Sequence, residues 1–304
     1  MAQVLQPDGQ GIATAAALLA AGELVAFPTE TVYGLGADAR NDTAVAKVFE
    51  AKGRPSFNPL IVHVADRAEI DAIAELPTEA DALLAQGWPS GLTLVAKLRS
   101  DAGISPLVTA GLATVALRVP GSGIARDLLR AFGGPVAAPS ANPSGRVSPT
   151  LAEHVTRGLG DRIAAVLDGG LTPAGLESTI LIFPGPTLLR EGAYPAPDTW
   201  PRQTQSETPP APGQLLSHYA PNAAVRLNAV EKRPGEWHIG FGEVAGDVSL
   251  SRTGDLVEAA ARLFVLLHEA DANGITALAV APIPDIGLGR AINDRLRRAA
   301  APRG

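Results

Sequence analysis

Apolar and polar positions change period repeatedly along the chain, and the predicted elements follow from where they change. A helical period predicts helices over residues 11–21, 43–51, 67–74, 78–86 and 124–131. Short apolar or alternating runs predict strands over 24–27, 60–64, 92–98, 114–119, 136–138, 164–167, 178–183 and 187–190. Helices alternating with strands indicate an α/β fold. Pro184-Gly185-Pro186 is a turn signal between the last two strands, so they form a hairpin and the sheet is mixed. Asp42 is the expected cap of the second helix and Gly53 its terminator. Between Pro195 and Pro212 six prolines with Ser, Thr and Gln read as an extended linker. Beyond it, strands over 236–241 and 277–281 with helices over 255–272 and 288–300 predict a small α/β unit. The expected division is a first domain over 1–205, a linker over 206–221 and a second domain over 222–304.

Composition narrows the possible chemistry. With 46% hydrophobic and 18% charged residues the chain is an ordinary globular one. A formal charge of -6 disfavours bulk coating of nucleic acid, while leaving room for a local basic pocket. Cysteine is absent, which excludes disulfides, thiolate nucleophiles and cysteine zinc sites, and five scattered histidines make no zinc pattern. The apolar run over 12–21 is too short to span a bilayer, and the start lacks the positive region of a secretory signal. A cytoplasmic protein with no membrane contact is expected.

The stretch from Pro28 to His63 has the composition of a site. It gathers Thr29, Thr31, Tyr33, Lys52, Arg54, Asn58 and His63 within a short span. If the strand before it continues, alternation places Thr29, Thr31 and Tyr33 on one wall. Lys52 and Arg54, leaving the helix end on a loop around Gly53, suit a phosphate grip, although any Lys-x-Arg is also compatible with plain surface charge. His63 on a strand fits either a core histidine or a ligand contact. Thr114 and Arg118, four apart on one strand, face the same way, and an inward arginine can clamp a carboxylate. No Gly-x-x-x-x-Gly-Lys-Ser/Thr occurs, and the glycines at 34 and 36 lack the strand and acidic residue that a dinucleotide site requires.

The motifs Pro28-Thr29-Glu30-Thr31-Val32-Tyr33-Gly34-Leu35, Lys52-Gly53-Arg54-Pro55, Asn58-Pro59-Leu60, Arg118-Val119-Pro120, Pro139-Ser140-Ala141-Asn142-Pro143-Ser144-Gly145 and Ser178-Thr179-Ile180 occur in this order over about two thirds of the chain. In this the sequence resembles the threonylcarbamoyl-AMP synthases of the YrdC-like type, in their two-domain form. The resemblance implies a twisted mixed sheet with flanking helices and a small Rossmann-like C-terminal domain. It also implies synthesis of threonylcarbamoyl-AMP and pyrophosphate from ATP, L-threonine and bicarbonate, for threonylcarbamoyl adenosine formation in tRNA. Residue by residue it assigns Lys52 and Arg54 to catalysis and, with Asn58, Thr114, Ser140, Ser148, Arg190 and Tyr219, to ATP. It assigns Thr31, His63, Arg118, Ala138 and Ser178 to L-threonine.

Magnesium is expected to arrive with the nucleotide and not at a protein metal site. The implied partners are the small substrates and the downstream threonylcarbamoyl transferase machinery, with little direct tRNA binding. Two departures stand out: Leu216 and Ser217 precede His218 where relatives carry basic residues, and Trp88-Pro89-Ser90-Gly91-Leu92-Thr93 replaces the usual Trp-Pro-Gly-Pro-Leu-Thr. The competing readings are an RNA-binding module of the same fold and a carbamoyl-adenylate-forming enzyme with another acceptor. A hydrogenase-maturation carbamoyl transferase needs the cysteine motifs that this chain lacks.

Overall fold

A computed structural model describes residues 1–203 and 218–302. The first part is built on an eleven-stranded sheet: β1 (Gln3–Leu5), β2 (Val25–Pro28), β3 (Tyr33–Asp38), β4 (Ile61–His63), β5 (Ala74–Glu75), β6 (Leu92–Leu98), β7 (Thr114–Arg118), β8 (Val136–Ala137), β9 (Ala165–Leu167), β10 (Thr179–Ile182) and β11 (Thr187–Arg190). Their order is β1-β9-β2-β3-β8-β4-β7-β6-β10-β11, with β5 paired to β6. Helices α1 (Gly9–Ala20), α2 (Asp42–Lys52), α3 (Arg67–Ile73), α4 (Glu79–Gly87), α5 (Pro106–Thr109), α6 (Gly123–Phe132) and α7 (Ala152–Leu159) connect and flank it. The sheet is mixed: β4 runs parallel to β7, β6 antiparallel to β7, and β10 and β11 form the expected antiparallel hairpin.

Three expectations are corrected by local chemistry. The chain does not continue extended after Pro28. It turns back, so that β2 and β3 pair antiparallel with Pro28 opposite Tyr33. Tyr33 therefore leaves the hydroxyl wall, and its hydroxyl donates to the Gly170 carbonyl at 2.8 Å. The β3 strand carries Gly36 because a Cβ there would meet the Phe27 ring at 2.9 Å and Val136 at 3.0 Å. The cap of α2 is Asn41, whose side chain accepts from the amides of Thr43 and Ala44; Asp42 is the first helical residue. Gly53 ends α2 at φ 60°, in the left-handed region that glycine adopts without strain. The proline-rich stretch is ordered at its start. The Leu188 amide donates to the Pro201 carbonyl, the Gln203 amide returns to Leu188, and Ala196 and Trp200 pack in an apolar cluster with Leu181 and Leu188. Of the expected 206–221 linker, 206–217 lie outside the described residues.

The C-terminal part has a parallel four-stranded sheet of β12 (Ala224–Arg226), β13 (Trp237–Gly240), β14 (Val248–Ser249) and β15 (Ala277–Val280), in the order β12-β15-β13-β14. Helices α8 (Leu256–Ala272) and α9 (Leu288–Ala299) accompany it. Its core does not stop at the edge of its own sheet. Val32, Val147 and Leu176 join Tyr219 and Phe264 in one buried cluster, which fastens the two parts together. Burying Val147 and Leu176 contributes roughly 1.5–3 kcal/mol each.

Candidate active site

The turn between β2 and β3, the ends of β4 and β7, the segment after β8 and the start of β10 converge on one cavity. Thr29, Thr31, Arg54, His63, Arg118, Ala138, Ser140, Glu177, Ser178, Arg190, His218 and Tyr219 are among its lining residues. Among the described residues, three guanidinium groups and one carboxylate give its wall a positive balance, as a polyanion requires.

The direction of the hydrogen bonds fixes what each wall can offer. Thr29 Oγ1 donates to the Val32 carbonyl at 2.7 Å, which uses its only proton. In the 2.7 Å contact between the two hydroxyls Thr31 is therefore the donor, and its oxygen is left to accept. His63 lies opposite Arg118 in the β4·β7 register. Its Nδ1 faces the Ile61 carbonyl at 3.2 Å and must carry the proton, so Nε2 is an acceptor. Burial, with the Arg118 charge beside it, lowers the His63 pKa to about 3, so the ring is neutral near pH 7.

Arg118 is held in place from one side. Its Nη2 donates to Glu30 Oε1 at 2.6 Å and its Nε to the Ser90 carbonyl at 3.3 Å. Glu30 also accepts from the amides of Gly121 and Ser122. Burial alone would raise the Glu30 carboxyl, but Arg118 and these hydrogen bonds outweigh it and hold the group below the ordinary range. On the opposite wall Arg190 donates from Nε to the Ser178 carbonyl and from Nη2 to Ser178 Oγ, which also contacts Thr93 Oγ1 at 2.7 Å.

Not every residue assigned from the sequence reaches the cavity. Arg54 does, with Nε and Nη2 on the carbonyls of Asn58 and Pro59, and burial lowers its pKa to about 10, still charged near neutrality. Lys52 does not leave the helix on a loop. It is the last residue of α2, is 3% exposed, and donates to the carbonyls of Ser140 and Asn142, bracing the segment that follows β8. Burial first, then Arg54 and Arg162, push its ammonium well below the usual lysine range, while two carbonyl acceptors favour the charged form. Asn58 is buried behind the lining, its Oδ1 without a partner among the described residues. Ser148 is buried with its hydroxyl on Glu177, and Thr114 begins β7 opposite Lys97, at the far end of that strand from Arg118. Glu177 and His218 also line the cavity, and neither is among the residues that the motifs assign. Their only sequence signal is adjacency to Ser178 and Tyr219.

The family model described as "Telomere recombination" matches residues 17–192, and the model for the threonylcarbamoyl-AMP synthase C-terminal domain matches 172–301. The chain belongs to the threonylcarbamoyl-AMP synthase family. Its architecture is the two-domain one. It is 43% identical to the threonylcarbamoyl-AMP synthase of Bacillus subtilis over 98% of this chain and 95% of the relative. It is 39% identical to that of Pyrococcus abyssi over 96% and 94%. The crystal structure of P. abyssi Sua5 complexed with L-threonine superposes with a TM-score of 0.90 at 35% identity, covering 99% of this chain and 97% of the other. A structure of a doubly substituted form of the same P. abyssi protein gives 0.89 at 35% identity, over 99% and 96%.

Proposed function

We propose that the chain joins ATP, L-threonine and bicarbonate into threonylcarbamoyl-AMP with release of pyrophosphate. The observation that carries this reading is the meeting of Arg54, Arg118 and Arg190 with neutral His63 and Thr31 in one cavity: cations for a carboxylate and a polyphosphate, next to acceptors for a hydroxyl and an amine. In this reading Arg118 holds the threonine carboxylate, and Thr31, His63, Ala138 and Ser178 surround the rest of the amino acid. Arg54, Ser140, Arg190 and Tyr219 hold the nucleotide, with Lys52 fixing the loop of Ser140; Asn58, Ser148 and Thr114, off the lining, act at most through the residues in front of them. The threonine amine and bicarbonate condense, with loss of water, to a carbamate. A carbamate oxygen then attacks the α-phosphorus and pyrophosphate departs from the opposite side. The protein supplies alignment and charge stabilisation and no covalent nucleophile. His63, neutral and with Nε2 free of a proton, serves as an acceptor towards the amino acid.

Magnesium enters with the nucleotide in this reading. Among the described residues the cavity's one carboxylate, Glu177, is already bonded to Ser148 and Arg295. The product passes to the machinery that transfers the threonylcarbamoyl group to tRNA, and the protein works in the cytoplasm. Among the described residues no helix is long and apolar enough to cross a membrane. Pyrophosphate release, measured with and without threonine and bicarbonate, tests the reading. Release independent of both, or none at all, defeats it.

A further inference from the structure

One wall of the cavity is braced by a residue that does not line it. Glu177 faces the cavity, yet its two oxygens are engaged elsewhere: Oε1 accepts from the Ser148 hydroxyl at 2.5 Å and Oε2 from Arg295 Nε at 3.0 Å. Arg295 belongs to α9 of the C-terminal domain and is 0% exposed. Its Nη1 donates to the Glu191 carbonyl at 2.8 Å and to Asp294 at 2.9 Å, and its Cζ stands 5.3 Å from the centroid of the Tyr219 ring. A single guanidinium thus touches the cavity-lining acid that also holds Ser148, the backbone that follows Arg190, and the face of Tyr219. A leucine or methionine would pack α9 here without the cost of desolvating a charge.

We propose that Arg295 is a positioning residue for nucleotide binding, through which the C-terminal domain sets Glu177 and Tyr219 at the wall that receives ATP. The proposal rests on the threonylcarbamoyl-AMP synthase reading and gives the C-terminal domain a defined part in the site. It also accounts for a buried acid at the nucleotide wall: Glu177 turns one oxygen to Ser148 because Arg295 neutralises the other.

The test uses the full chain and three variants, Arg295→Met, Arg295→Lys and the double variant Glu177→Gln/Arg295→Met. The readouts are ATP binding by calorimetry, KM for ATP and for threonine, and Tm. Arg295→Met leaves a buried carboxylate without its cation, so Tm falls and KM for ATP rises by about 10-fold or more, while KM for threonine stays within about twofold. The double variant removes both charges and regains Tm, but its KM for ATP stays raised. Arg295→Lys recovers part of the ATP binding, because it restores the charge without the planar fork. If Arg295→Met does not fold, the other two variants carry the same comparison. Recovery of ATP binding together with Tm in the double variant would mean that the pair serves only to neutralise itself, and would overturn the proposal. So would unchanged ATP binding in folded Arg295→Met, or an equal rise in KM for threonine. Wild-type chain that binds ATP but releases no threonine-dependent pyrophosphate would instead refute the function proposed above.

Discussion

At Arg118 one guanidinium is both fixed by the fold and exposed to the cavity, where the proposed function gives it the threonine carboxylate. Nε and Nη2 are spent on Ser90 and Glu30, which fixes the plane of a guanidinium that lines the cavity. The acceptors nearby have equally fixed roles. Thr31 Oγ1 and His63 Nε2 have no proton to give, so they favour a substrate that brings its own donor. Threonine does so through its hydroxyl and valine does not; valine leaves an acceptor unpaired. The expected kcat/KM for valine is therefore about 10- to 100-fold below that for threonine, with serine between them. Equal rates with threonine and valine in the pyrophosphate assay would show that this wall does not read the hydroxyl. The two cations around Gly53 separate in a second prediction. Arg54→Ala removes a charge that lines the cavity and should lower turnover by about 100-fold or more. Lys52→Ala removes two buried hydrogen bonds to the carbonyls of Ser140 and Asn142, worth about 0.5–1.5 kcal/mol each, so it should lower Tm as well as turnover. Thermal melts beside pyrophosphate assays distinguish the two; folded variants with wild-type turnover would remove both residues from the mechanism.

Elements with a sustained period are legible in the sequence, and those shaped by a neighbour are not. The β6 strand and the long helices α8 and α9 lie where their patterns put them. The β3 strand escapes a pattern-based reading because Gly34 and Gly36 erase alternation, and they are there for the packing of Phe27, Val136 and Ala138, which no local window contains. The start of the proline-rich stretch pairs with β11 because proline loses its amide but keeps its carbonyl, which suffices for the bond from Leu188. At the site, motif residues identify the chemistry, whereas Glu177 owes its role to Arg295, 118 positions away. Tyr219 belongs to both levels. Its φ of 60° and its stacking on Phe264 at 5.6 Å hold it between the C-terminal core and the cavity, beside His218. Both residues line the cavity, which in the proposed reading receives ATP. Tyr219→Ala should then weaken ATP binding by about 10-fold and let more of the intermediate hydrolyse, since both carbamate and mixed anhydride break down in water. Calorimetry with ATP, and the ratio of intermediate to pyrophosphate, check this; a variant equal to wild type in both would make Tyr219 a packing residue only.

At the scale of the whole molecule, one contact between the two domains is made by a pair of stacked histidines. His154 of α7 and His268 of α8 stack with ring centroids 3.8 Å apart, and His268 Nε2 bonds the Ser148 carbonyl at 3.0 Å. Burial, with Arg157 beside it, lowers the His154 pKa to about 4; burial, with His154 beside it, lowers that of His268 to about 3. In the unfolded chain both would take up protons near pH 6.5. Between about pH 6.5 and 4 the unfolded state therefore binds more protons than the folded one, and stability falls as the pH falls. Below the folded-state values both states are protonated and the loss levels off. A tenfold difference in proton affinity between the two states corresponds to about 1.4 kcal/mol, so this pair contributes acid sensitivity at the domain interface, alongside His63 and His218, whose pKa values burial also lowers. His268→Gln keeps an amide able to donate to the Ser148 carbonyl but cannot take up a proton. It should reduce the loss of denaturation midpoint between about pH 7.5 and 5 while changing stability at the higher pH by about 1 kcal/mol or less. Urea titrations of both proteins at the two pH values measure the difference. A pH dependence unchanged in the variant would place the acid-sensitive groups away from this interface, with buried His63 the first to be examined.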